Sequence, residues 1–146
     1  MRQFCIGQAR TINSRLIVEG FEKCAAIGSG IDNYASCGNI VIDGGTIEAT
    51  AGEGAAAIGS GKWNRGILAS CGNITITSGI GSLKTVIKKG YVFVGADSIS
   101  TCGSVTIGEE KTGSITTESP YLKNDTISNF VSVLKDSRTW ILSPKP

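Results

Sequence analysis

The chain contains no histidine. That absence excludes Ser-His-Asp and Cys-His catalysis and every histidine-ligated metal centre. Proline is scarce, 3 residues of 146, so the chain is neither collagen-like nor a proline-rich linker. Charge is thin, at 18% of residues. The 14 Lys+Arg against 12 Asp+Glu leave a net charge of +2, too little for a nucleic-acid binder that works by neutralising phosphate. Long apolar runs are missing: stretches such as 16–18 and 55–58 fall far short of the about 20 residues that cross a bilayer, so no membrane insertion is expected. The first eight residues, Met-Arg-Gln-Phe-Cys-Ile-Gly-Gln, lack the apolar core of a signal peptide. Cytoplasmic expression or a virion fits that start, and cell-surface or secreted placement fits if the chain is part of an exported protein.

The five cysteines are Cys5, Cys24, Cys37, Cys71 and Cys102. An odd number leaves at least one unpaired within the chain, and none forms a Cys-x-x-Cys pair, so neither a metal site nor another cofactor is expected.

What the chain has is glycine, 20 residues of 146, and internal self-similarity. Ala-Ala-Ile-Gly-Ser-Gly occurs at 25–30 and again at 56–61, and Ser-Cys-Gly-Asn-Ile at 36–40 and 70–74. A degenerate copy follows in Phe93-Val94-Gly95 and Thr101-Cys102-Gly103-Ser104-Val105, and a fainter one precedes in Cys5-Ile6-Gly7. Within each copy the period is two. Ile40-Val41-Ile42, Ile74-Thr75-Ile76 and Val105-Thr106-Ile107 read as strands with one buried face. Gly44-Gly45 turns into the alternating 46–51, and Gly52-Glu53-Gly54 turns into the next Ala-Ala-Ile-Gly segment.

A unit of this size cannot bury its own apolar face, whereas stacked units can. The expected fold is therefore all-β: a small right-handed parallel β-solenoid, or β-helix, of about four coils. One domain is expected over 1–146, with repeats at 4–23, 24–54, 55–91 and 92–121 and a C-terminal cap at 122–146. Ile40, Ile74 and Val105 would form one internal ladder, Ile42, Ile76 and Ile107 a second, and Ile27, Ile58 and Val94 a third. An antiparallel β-sandwich also uses short strands and glycine turns, but gives no reason for near-identical repeats. Asp125 can cap a helix over 126–135, on which Ile127, Phe130, Val131 and Leu134 share a face. With a last strand over 139–142, that helix would cover the open end. The register of 79–90 cannot be read.

The strings Ala-Ala-Ile-Gly-Ser-Gly, Gly-Gly-Thr-Ile-Glu-Ala and Cys-Gly-Asn-Ile-Thr-Ile resemble glycine-rich β-helical repeats in surface proteins of anaerobic gut bacteria, the carbohydrate-binding-domain or adhesin-like proteins. The resemblance is clear over about 24–78 and weak elsewhere. It implies a β-helical, cell-surface or secreted, ligand-binding role. Phage particle or tail proteins from the same environment have a similar look.

Candidate ligand-binding residues are Asp32, Asn33, Tyr34, Trp63, Asn64 and Arg65, two corner segments that each set an aromatic ring beside hydrogen-bonding groups. Sugars stack on such rings, and tryptophan and arginine also anchor protein interfaces. Cys37, Cys71 and Cys102 share one repeat position and are expected to form a buried ladder of inert thiols. Asn39 and Asn73, two residues later, are expected to form a structural ladder through turn hydrogen bonds. Glycoside cleavage would need two carboxylates about 5–10 Å apart. Asp43, Glu48, Glu53, Glu109, Glu110 and Glu118 are available, but no acidic cluster repeats and no catalytic residue is assigned. The expected function is a non-enzymatic ligand-binding or adhesion module for a glycan or a protein surface. The alternatives are a structural subunit of a phage particle or surface appendage that forms a homo-oligomer, and a polysaccharide-cleaving enzyme.

Overall fold

A computed structural model describes residues 4–6, 8–12, 14–30, 35–62, 69–88, 92–97, 99–122 and 129–146, with side chains from residue 14 onward. The strands in chain order are β1 (Phe4–Ile6), β2 (Gln8–Ile12), β3 (Arg15–Glu19), β4 (Ile27–Ser29), β5 (Ile40–Ile42), β6 (Gly45–Thr50), β7 (Ile58–Gly59) and β8 (Ile74–Ile76). They continue with β9 (Ile80–Val86), β10 (Val92–Gly95), β11 (Val105–Ile107), β12 (Glu110–Lys111), β13 (Ile115–Thr116), β14 (Phe130–Asp136) and β15 (Thr139–Pro144). There is no helix among the described residues, and so none long and apolar enough to cross a membrane.

Three mixed sheets enclose one core. The first has the order β1-β4-β7-β10-β13, the second β12-β11-β8-β5, and the third β14-β15-β9-β6-β3-β2. The repeat at 24–54 supplies one strand to each sheet, as does the repeat at 55–91, and corresponding strands pair in parallel. Ile74 lies between Ile40 and Val105, Ile76 between Ile42 and Ile107, and Ile58 between Ile27 and Val94. Strand β9 follows β6 with one extra residue at Gly81: Gly45 pairs with Ile80, then Thr46 with Ser82. That insertion is why the register of this stretch is hidden in the sequence.

A right-handed parallel β-solenoid of about four coils with a helical cap does not describe this molecule. Parallel pairing joins the corresponding strands of the repeats, and every sheet end except β5, which lies parallel on β8, is antiparallel: β1 on β4, β2 on β3, β13 on β10, β12 on β11, and β15 on β9 with β14 beyond it. The physical reason is local. Where the copies lose their likeness, tight turns set consecutive strands back to back, β2 with β3, β11 with β12 and β14 with β15, while β1, β13 and β15 close on strands distant in sequence. Ser14, with φ 65°, turns β2 into β3. At 136–139 the Arg138 N–H donates to Asp136 Oδ1 at 2.8 Å and turns β14 into β15.

The expected helix over 126–135 is also corrected. Residues 130–136 are strand β14, paired with β15 from Phe130↔Pro144 to Asp136↔Thr139. Val131 and Val133 favour a pleated backbone, and Phe130, Ser132 and Leu134 alternate as well as they fit a helical stripe. Of that stripe Phe130 is buried, Val131 and Leu134 are exposed, and Ile127, like Asp125, lies outside the described residues.

A column of glycines fixes the first sheet. Gly28, Gly59 and Gly95 have φ of 143°, 130° and 116°, where side chains are strained. A Cβ on Gly28 would overlap the Gly59 carbonyl, and one on Gly59 the Gly95 carbonyl. Ala25, Ala26, Ala56 and Ala57 are buried beside them. The wide part of the core holds Ile40, Ile74 and Val105 with their ladder neighbours, and Trp140 fills its C-terminal end, fully buried. The Trp140 and Phe93 ring centroids lie 6.3 Å apart, and Trp140 Nε1 donates to Ser132 Oγ at 2.8 Å. Burial with its polar atom satisfied is what a tryptophan core position requires.

Ile74 is fully buried between Ile40 and Val105, its counterparts in the neighbouring repeats. Ile74→Ala is expected to cost about 2–5 kcal/mol of unfolding free energy in a urea titration. A loss below about 0.5 kcal/mol, the size of a surface effect, would contradict this packing.

Candidate functional site

The aromatic corner residues singled out from the sequence, Asp32, Asn33, Tyr34, Trp63, Asn64 and Arg65, lie outside the described residues. The cysteine and asparagine columns are described. Ser36, Ser70 and Thr101 form successive parallel bridges, and the cysteines follow them directly. Cys37 and Cys71 are buried, Cys102 is half-buried, and all three are free thiols. They hydrogen-bond along the column. The bond from Cys71 holds the Cys37 thiol below its ordinary value, against burial. For Cys71 the bond from Cys102 acts downward, but the bond to Cys37, burial and the Cys37 charge together push it up to about 11. Cys102 is pushed up further, by its bond to Cys71, by burial and by the Cys71 charge.

Asparagine side chains tie the same turns together. Asn39 Oδ1 accepts the Asn73 N–H at 2.9 Å, and Asn73 Oδ1 accepts the Ser104 N–H at 3.0 Å.

The described carboxylates are spread over several separate contacts. Glu48 pairs with Arg15 at 2.7 Å on the outer face of the third sheet. Asp43 accepts the Thr77 hydroxyl at 2.6 Å, and Glu110 Oε2 accepts the Tyr121 hydroxyl at 3.0 Å. Glu109 and Glu110 border a cavity of about 230 Å³ with Ser78, Tyr121, Asn129 and Phe130. No group of three or more Cys, Asp or Glu side chains is placed to hold a metal among the described residues.

The larger concavity lies at the other end of the molecule. It has a volume of about 530 Å³ and is lined by Leu16, Val18, Ile27, Ile40, Val41, Ile42 and Ile47, with Asn39, Asp43 and Gly44 at its border. Its origin is topological. At this end β1 covers β4 and β2 covers β3, but no described strand covers β5. Ile40 N–H and Ile42 C=O bond toward β8. In a parallel ladder the intervening residue faces the opposite way, so the N–H and C=O of Val41 point along the open edge. The Val41 side chain is 64% exposed. The arrangement can accept an added strand by backbone hydrogen bonds and bury aliphatic side chains beside it.

Sequence reasoning passed over this edge although a signal was present. The outward position between the two buried aliphatics is threonine at Thr75 and Thr106 but valine at Val41. No family model, no curated protein and no solved structure matches the chain.

The thiol column generates a pH dependence. Unfolded, Cys71 ionises at its ordinary 9.0; folded, it ionises at about 11. Between those values the folded state keeps a proton that the unfolded state has lost. The stability from this group is complete below pH 9 and declines as pH rises toward 11. The urea midpoint should therefore fall between pH 9 and 10.5, with a shallower fall in Cys71→Ala. On brief iodoacetamide treatment at pH 8, Cys71 should label far more slowly than Cys37. A midpoint indifferent to alkaline pH, or equal labelling of the two, would contradict the column.

Proposed function

We propose that the protein is a non-enzymatic recognition module that binds a protein ligand at the uncovered edge of β5. The carrying observation is one coincidence: a strand edge that no described strand covers, an aliphatic groove of about 530 Å³ beside it, and an exposed valine between them. Such edges are aggregation hazards that proteins ordinarily cover, charge or twist away. One left bare next to apolar surface suits β-strand addition, in which the backbone supplies affinity and the side-chain pockets supply specificity. The groove's aliphatic lining favours protein over glycan, which asks for hydroxyl-binding groups and exposed rings. The non-enzymatic reading is supported by Glu48 and Asp43 each being engaged in a structural contact. The resemblance of 24–78 to adhesin-like surface repeats points the same way.

A second reading, a structural subunit that assembles, is favoured by the opposite end. There β14 is the edge of the third sheet and exposes Val131, Val133 and Leu134. Edges at both ends suit a head-to-tail, heterologous contact.

Peptide and glycan arrays probed with the native chain and with Val41→Lys test the proposal. Retention is expected on aliphatic, extended peptides, weakened at least about tenfold by Val41→Lys, equivalent to ~1.4 kcal/mol. Retention on glycans alone, unaffected by Val41→Lys, overturns it. Concentration-dependent oligomers dispersed by Val133→Lys would establish the second reading instead.

A further inference from the structure

The molecule carries two worked examples of how a strand docks on this edge. In the first, β8 lies on β5; in the second, β11 lies on β8. Both use the same contacts. The glycine N–H of the later strand donates to the glycine carbonyl of the earlier one, Gly72 to Gly38 at 3.1 Å and Gly103 to Gly72 at 3.0 Å. The next N–H donates to the asparagine side chain of the earlier strand, Asn73 to Asn39 at 2.9 Å and Ser104 to Asn73 at 3.0 Å. The first aliphatic N–H of the earlier strand donates to the later carbonyl, Ile40 to Asn73 and Ile74 to Ser104, both at 2.8 Å. The two buried aliphatics then stack in register.

At its other edge β5 holds the later-strand half of this set. It offers the Gly38 and Asn39 N–H groups, the Asn39 carbonyl, and Ile40 and Ile42 facing the groove. The missing half is an earlier strand.

Gly38 carries a second, independent observation. A Cβ on Gly72 would stand 3.0 Å from the Asn39 nitrogen, and one on Gly103 would stand 2.9 Å from the Asn73 nitrogen. Both glycines are required by the strand before them. A Cβ on Gly38 meets nothing within 4 Å, and its φ is not among the positive ones. Among the described residues nothing demands glycine there, whereas a strand docked on β5 would.

We infer that the β5 edge takes an extended peptide in parallel register with the pattern Asn or Asp, aliphatic, any residue, aliphatic. This names the ligand of the recognition module proposed above and rests on that reading. The acidic or amide side chain accepts the Asn39 N–H. The first aliphatic N–H donates to the Asn39 carbonyl, and the two aliphatics stack in register beside Ile40 and Ile42, which are already buried, and against the half-buried Leu16 and Ile27. A folded second copy cannot supply this segment. Its 73–76 strand is paired on both edges and its 39–42 strand is already held by β8.

The test is fluorescence anisotropy of a labelled peptide, Gly-Asn-Ile-Thr-Ile-Thr with a dilysine tail, titrated with the full chain. Saturable one-to-one binding is expected. It should weaken roughly five- to tenfold when the peptide asparagine becomes alanine, the loss of one hydrogen bond. It should vanish when both peptide isoleucines become serine. Gly38→Ala should abolish binding and leave the melting temperature unchanged, while Gly72→Ala lowers it. No saturable binding overturns the inference, and so does a Gly38→Ala chain that binds normally or melts early. Binding that responds to Val41→Lys but not to the peptide asparagine or to Gly38→Ala overturns this register and leaves the recognition module standing. Binding indifferent to Val41→Lys overturns both. A dimer in sedimentation that Val41→Lys disperses assigns the edge to a second copy and overturns the inference.

Discussion

Backbones can close to hydrogen-bonding distance at a chain corner only where no Cβ stands between them, and the column Gly28, Gly59 and Gly95 is where this molecule meets that constraint. Each glycine faces the carbonyl or hydroxyl of the next layer, at a φ that side chains avoid. The rest follows from this fixed corner. It sets the first sheet in register, so Ile27, Ile58 and Val94 must stack. It brings the walls close, so alanine is the residue that fits at 25, 26, 56 and 57. It leaves the broad interior to the isoleucine ladders and to the Trp140 and Phe93 pair.

Polar groups in so narrow an interior have to be satisfied by neighbours. Ser29 and Ser60 are buried; Ser29 Oγ accepts the Gly61 N–H at 3.0 Å, and Ser60 Oγ donates to the Thr101 carbonyl. Ser100 Oγ donates to the Gly61 carbonyl. Among the described residues no buried side-chain nitrogen or oxygen lacks a partner. The serine in Ala-Ala-Ile-Gly-Ser-Gly is thus a cross-layer tie, and that explains its repetition along with the glycines.

The repeats were legible because identical physical demands select identical residues. The missing Cβ at 28 and 59, the asparagine oxygen at 39 and 73, and the aliphatic pairs at 40 and 42 and at 74 and 76 can be read from one line of sequence. The ends were not, because antiparallel return depends on turns whose signals are weak and on partners distant in sequence. The stripe Ile127, Phe130, Val131 and Leu134 satisfies a helical period, yet pairing with 139–144 decided the strand. The uncovered edge was hidden for another reason. Exposure of Val41 is a property of topology, and only the contrast with Thr75 and Thr106 hints at it.

Near-identical copies also pose a problem of degeneracy. A layer displaced by one whole repeat would present Ile58 where Ile27 belongs, and Ile74 where Ile40 belongs, with little local penalty. The antiparallel ends remove that ambiguity. Trp140 pairs with Thr85, whose hydroxyl donates to the Trp140 carbonyl at 3.1 Å, where the corresponding position of the preceding repeat is Ala49. The C-terminal hairpin therefore acts as an index mark. The repeats make the stack easy to propagate, and the unlike segment at its end counts the layers and stops them.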